Sequence, residues 1–175
     1  AYNLARASSE GLAVYVRVLT RLLVCCALAS IPFIALGGLG FGWWPLNCMG
    51  TLAVAVSIMY LIESRRPFWK TKAAVVFLLG GAFVEFWWPG VTLCVGAWLY
   101  WKQPTWGALL LWLAGTASLT LINGNWWACA SFAVLAGMAS FVKIEIPRAS
   151  RFFYIYYPAH LTVLLLLGFR IQSHS

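Results

Sequence analysis

The chain has 175 residues, 63% of them hydrophobic and only 9% charged, and a mean hydropathy of +0.85. A water-soluble domain is roughly half apolar and a quarter charged, so there is too little polar surface here to coat a soluble globule. Basic residues outnumber acidic ones 12 to 4, for a net charge of +8, and Asp is absent.

In a chain this apolar, the basic excess marks one set of membrane loops rather than a nucleic-acid surface. The lack of Asp excludes a Ser-His-Asp triad and an EF-hand. With His160 and His174 as the two histidines, it also argues against a metal site within the chain. None of Cys25, Cys26, Cys48, Cys94 and Cys129 forms a CxxC motif, and all lie in or beside apolar runs, where packing is their expected part. A Cys48–Cys129 disulfide stays open, because both fall toward the same expected membrane face.

No signal-peptide pattern opens the sequence. The run Tyr2-Asn3-Leu4-Ala5-Arg6 reads as the tail of an element already under way, so residues 1–175 are expected to form a single, N-terminally incomplete membrane domain. Apolar stretches then follow at 12–36, 46–62, 73–86, 89–101, 106–122, 126–142 and 153–169. Most can span a hydrocarbon core that needs about 20 helical residues. The 89–101 stretch is short enough to be either a thin crossing or a re-entrant half-helix.

Charge separates these two cases. If every stretch crosses, one face collects Arg6, Arg17, Arg21, Arg65, Arg66, Lys70, Lys72, Lys102, Lys143, Arg148 and Arg151, and the other keeps Arg170. A re-entrant 89–101 would scatter them. The positive-inside rule therefore predicts an all-α polytopic bundle of about seven spans, with basic loops cytoplasmic and the C-terminus on the opposite side of the membrane. The opposite loops carry Trp43-Trp44, Trp87-Trp88 and Trp126-Trp127, six of the eleven tryptophans. They read as an interfacial belt or as the walls of a substrate groove. Gly80-Gly81, Gly96, Gly115 and the Ala133/Gly137 pair are expected at close helix–helix contacts.

Ionisable groups inside spans call for a reason, since each costs about 2.5–3.5 kcal/mol on insertion scales. His160 lies well inside the last stretch, with Tyr156 and Tyr157 four and three residues before it on the same side of a helix. It is a candidate catalytic base, with both tyrosines as its neighbours. Glu85, near the outer end of the third stretch, can hold an ammonium group on a substrate. Asn47, Asn123 and Asn125 stand at outer ends of stretches and complete a candidate substrate-binding set, although Asn123-Gly124-Asn125 also reads as a plain turn. The run Gly37-Gly38-Leu39-Gly40-Phe41-Gly42 follows no strand and lacks Lys, so it is not a phosphate cradle. The basic clusters meet anionic headgroups or a phosphate-bearing cofactor, for which guanidinium groups are suited.

Several segments together resemble the TraX family of membrane proteins linked to N-terminal acetylation of conjugative pilin. They are Tyr2-Asn3-Leu4-Ala5-Arg6, Pro45-Leu46-Asn47, Asn123-Gly124-Asn125-Trp126-Trp127-Ala128 and, most specifically, Phe152-Phe153-Tyr154-Ile155-Tyr156-Tyr157-Pro158-Ala159-His160-Leu161. The family pattern starts with further helices bearing an Asp-His pair and an Ala-Phe-Pro-Leu-Phe stretch. Neither occurs here, so one or two N-terminal helices are expected to be missing.

The resemblance implies an acetyltransferase that moves acetyl from acetyl-CoA to the N-terminal amine of a pilin subunit. On that expectation His160, Tyr156 and Tyr157 are catalytic, and Arg6, Arg148 and Arg151 bind the cofactor. Pilin and membrane lipid are the expected partners, with no nucleic acid. The rival readings are an acyltransferase acting on a glycan or lipid hydroxyl, and a non-enzymatic membrane scaffold for pilin.

Overall fold

The computed structural model describes residues 4–5, 11–37, 44–130, 134 and 150–172, and it is all helical apart from one isolated backbone bridge. Helix α1, Ala13–Ala35, has 23 residues and is about 35 Å long. Its buried residues Tyr15, Leu22, Cys26, Ala29 and Phe33 recur at helical spacing and form one stripe. The opposite face stays apolar yet uncovered, with Ile31 71% exposed, as a lipid-facing surface must be.

Helix α2, Cys48–Ser64, lies at the centre of the bundle and buries Met49, Ala53, Val56, Ile58 and Met59. After it come α3, Trp69–Val75, a π-helical turn at Val76–Gly80 and the short α4, Gly81–Phe83. Helix α5, Trp87–Lys102, then pairs with α6, Trp106–Asn123. The last helix, α7, Ser150–Gln172, packs along α1. By length and composition α1 and α6 can each cross a membrane, while α2 and the Tyr154–Leu167 part of α7 are shorter apolar helices.

Of the predicted close contacts, those at Gly80, Gly81, Gly96 and Gly115 are present, while Ala133 and Gly137 lie outside the described residues. A Cβ on Gly96 would lie 2.6 Å from the Trp112 nitrogen, and one on Gly115 would lie 2.5 Å from the Leu93 nitrogen, so the α5 and α6 backbones touch. Gly80 meets Val54 of α2, and Gly81 meets the Trp88 ring. At the end of the bundle that carries the lysines, Glu63 of α2 pairs with Lys102 of α5, whose Nζ sits 5.2 Å from the Trp98 ring centroid. All five cysteines are free, so the Cys48–Cys129 pairing does not form here.

Two boundaries differ from the hydropathy reading. The third apolar stretch runs to residue 86 in sequence, but its helix stops at Phe83, where Val84 turns extended (φ −110°, ψ 153°). Val84 then makes a parallel bridge to Leu46: Leu46 N–H donates to Phe83 O at 2.7 Å, and Glu85 N–H donates to Leu46 O at 2.8 Å. Hydropathy cannot register such a stop, because Phe83, Val84 and Phe86 are as apolar as the helix before them. The fourth stretch is also longer than predicted, since α5 takes in Trp87 and Trp88 and runs for 16 residues. Most of the sixth stretch lies outside the described residues.

Candidate active site

The site is organised by the start of α2. Asn47 is its N-cap, accepting through Oδ1 from Met49 N–H at 3.1 Å. The same side chain donates through Nδ2 to Cys26 O and to Ser30 Oγ, each at 3.0 Å. With every amide atom in use and none of its surface exposed, Asn47 is fully buried. These bonds fix the depth of α2. Cys26 and Ser30 lie nine and five residues before the end of α1, so α2 begins about 8–14 Å short of that end. The start of α2 and the turn after α4 therefore lie beside the body of α1, and Glu85 shares its level with Leu121 and Ile122 in the last turn of α6.

Three chemically capable side chains meet at that level. Cys48, the first residue of α2, turns its backbone N–H toward the Glu85 carboxyl and lies against the Tyr157 hydroxyl of α7. The Leu46–Val84 bridge places Glu85 there, and its Oε2 is buried with no hydrogen-bond partner. A buried carboxylate oxygen without a donor is costly.

Glu85 also lines a cleft of about 500 Å³, together with Trp44, Trp87, Trp88, Pro45 and Pro89 and with Ser118, Leu121 and Ile122 of α6. The indole N–H of Trp44 donates to Ala82 O at 3.1 Å and that of Trp88 to Leu78 O at 3.2 Å, which fixes both rings. The Trp44 and Trp87 centroids are 6.3 Å apart with the rings tilted by 31°. Aromatic walls around a carboxylate suit a cationic group, attracted by ring quadrupoles and by the anion together.

The other sequence candidates are distributed as follows. Tyr157 joins the Cys48–Glu85 cluster. Tyr156 and His160 are exposed on an adjoining side of α7, their rings stacked at 5.6 Å, with Phe152 stacked on Tyr156 at the same spacing. Asn123 ends α6, one residue beyond the cleft's Ile122. Asn125 caps a local turn, donating to Asn123 O at 2.9 Å and accepting from Trp127 N–H at 3.1 Å, and both asparagines are exposed. Arg6 and Arg148 lie outside the described residues, and Arg151 is described only as backbone in α7. Among the described residues no group of His, Cys, Asp and Glu is placed to hold a metal ion.

Sequence reasoning took Cys48 for a packing residue and did not pick out Ser30. The signal that was available is the N-cap asparagine directly before Cys48, which puts that residue's N–H at a helix start.

An all-α bundle of apolar helices, with a polar cluster beside a tryptophan-lined cleft, defines an integral membrane protein. The chain belongs to the TraX family, whose model, described as TraX protein, matches residues 1–168. It is accordingly an N-acetyltransferase of conjugative pilin, and its use of acetyl-CoA and its contacts with pilin and membrane lipid follow from that membership. No curated protein and no solved structure matches the chain.

Proposed function

We propose that the tryptophan-walled cleft receives the N-terminal ammonium of pilin, and that Glu85 seats it and takes up its proton. The observation carrying this reading is that Glu85, whose Oε2 is buried without a partner, lines that cleft. An α-amino group titrates near 7.7–8.0, so it reaches the site largely as a cation at neutral pH and must lose a proton to react. With the proton on Glu85, the amine lone pair attacks the thioester carbon of acetyl-CoA. The tetrahedral oxyanion then collapses, the C–S bond breaks, and the second N–H proton leaves with the sulfur as coenzyme A thiol. Tyr157 is the donor for that oxyanion, and no covalent acyl-enzyme is needed. Asn47 acts by position: it holds the start of α2 at the depth where Cys48, Glu85 and Tyr157 meet.

A second reading keeps His160 as the base, with Tyr156 stacked on it. It is favoured by the depth of an ionisable ring roughly 15 Å along α7 from Ser150. Asn123 and Asn125, at the same end as the cleft, are then contacts for the incoming chain.

In the membrane we take all seven apolar stretches to cross, with the basic loops cytoplasmic and the cleft opening to the periplasm of a bacterial inner membrane. Acetyl-CoA then approaches from the basic side, where Arg6, Arg148 and Arg151 are its proposed ligands, and pilin from the other.

The test is the intact mass of pilin coproduced with the protein. Wild type adds one acetyl group to the N-terminal residue. Glu85→Gln and Tyr157→Phe each lower the acetylated fraction, Glu85→Gln by about 100-fold in rate. If Glu85→Gln acetylates normally while His160→Ala does not, the base is His160 and the first reading is wrong.

A further inference from the structure

Two cations in α1 have no part in the site described above. Arg17 and Arg21 are one turn apart on the same side of that helix, four and eight residues from its start, and both side chains are exposed. Like charges at this spacing repel each other, and arginines within a membrane-spanning helix are costly unless something answers their charge. Among the described residues the one ion pair is Glu63–Lys102, so neither arginine meets a carboxylate there. The seam between α1 and α7 brings Arg21 and Cys25 within electrostatic reach of Tyr154, and one turn further along α7 Tyr157 lies against Cys48.

We propose that Arg17 and Arg21 form a binding site for a phosphate ester at the basic end of this seam. Two guanidinium forks one turn apart suit a phosphate, which accepts paired hydrogen bonds from planar donors and neutralises both charges at once. The level of Cys26 is about 8 Å above Arg21 and about 14 Å above Arg17. A flexible chain that starts at a phosphate held here reaches the Cys48–Glu85–Tyr157 level along the seam. On the acetyltransferase reading, the ligand is the phosphate portion of the acyl donor. The same chemistry is offered by the headgroup of an anionic phospholipid. The Arg65–Arg66 pair differs, because it lies in a connection past the end of α2, where water solvates it freely.

The experiment measures binding, not acetylation. Coenzyme A is titrated calorimetrically into the full chain in nanodiscs of phosphatidylcholine alone, and retention of phosphatidylglycerol is read by native mass spectrometry from mixed bilayers. Variants are Arg17→Gln/Arg21→Gln and, keeping charge but losing the forks, Arg17→Lys/Arg21→Lys, with monodispersity and thermal unfolding as folding controls. The donor source is indicated if the glutamine pair weakens coenzyme A binding about tenfold or more and the lysine pair restores part of it. The lipid source is indicated if coenzyme A binding is unchanged, or absent even in wild type, and phosphatidylglycerol retention falls. In that case the phosphate site stands and the donor assignment fails. If the folded glutamine pair changes neither readout, or if neither ligand binds the wild type, the proposal is overturned.

Discussion

Asn47 is bonded to Cys26 across the α1–α2 interface, amide nitrogen to carbonyl oxygen, at 3.0 Å. That single contact decides how deep the second helix starts, and with it the depth of every polar group that follows.

Replacing Asn47 with Ala removes a cap and two interhelical donations at a fully buried position. The expected loss is about 2–4 kcal/mol, combining the cap with acceptors left bare at Cys26 and Ser30. Asn47→Asp keeps the cap oxygen, loses both donations and sets a carboxyl against the Cys26 carbonyl, so it should unfold above Ala only if the cap outweighs the burial of that carboxyl. Activity should drop with stability in both, because the proposed catalytic cluster is hung from this residue.

The glycines of the α5–α6 contact offer a contrast within one helix pair. Gly115→Ala puts a methyl group 2.5 Å from backbone, which cannot yield as a side-chain tip can. Overpacking of this kind costs about 1–3 kcal/mol. Gly107→Ala, on the same α6 helix with nothing within 4 Å, should be neutral or slightly stabilising. Equal thermal shifts for the two would mean that α5 and α6 do not pack closely.

Glu63 and Lys102 tie the far ends of α2 and α5 and are 23% and 28% exposed. Glu63→Gln strands Lys102 over the Trp98 ring, at an expected cost of about 1–2 kcal/mol after discounting for solvent access. Adding Lys102→Met should recover part of that loss. A double-mutant cycle with no coupling would show that the pair contributes nothing.

Within the cleft, Trp87→Ala should raise the KM for an acceptor peptide while leaving the KM for acetyl-CoA unchanged, because the ring faces Trp44 and Glu85 and not the α1–α7 seam. A loss of about 1 kcal/mol of cation–π attraction corresponds to roughly a fivefold change. A parallel rise in both constants would argue for disturbed folding instead.

Much of this was legible in the sequence, and the remainder was lost for definite reasons. The membrane class, the helical content and the glycine contacts at 96 and 115 follow from composition and spacing alone. Asn47 stood out as the polar opening of an apolar stretch, which is what an N-cap looks like. Its depth could not be read, because depth depends on which turn of α1 it meets. Glu85 stood near the end of its stretch and lies just past the helix end at Phe83, but the break at Val84 and the bridge to Leu46 could not be read, because hydropathy takes each span to be a straight rod. Tyr156, Tyr157 and His160 read as one face by spacing. The contact of Tyr157 with Cys48 separates it from the stacked Tyr156 and His160, a distinction that needs the neighbouring helices.

The Leu46–Val84 bridge carries a lesson about how the protein is assembled. It joins peptide groups that are far apart in the chain, and it can close only after the hairpin formed by α2, α3 and α4 has folded back on itself. Its two hydrogen bonds then shelter non-helical backbone at a depth where bare amides are strongly disfavoured. The amide protons of Leu46 and Glu85 should therefore resist exchange with deuterium as a pair, opening together and late, as a clasp that reports whether the helical hairpin is shut.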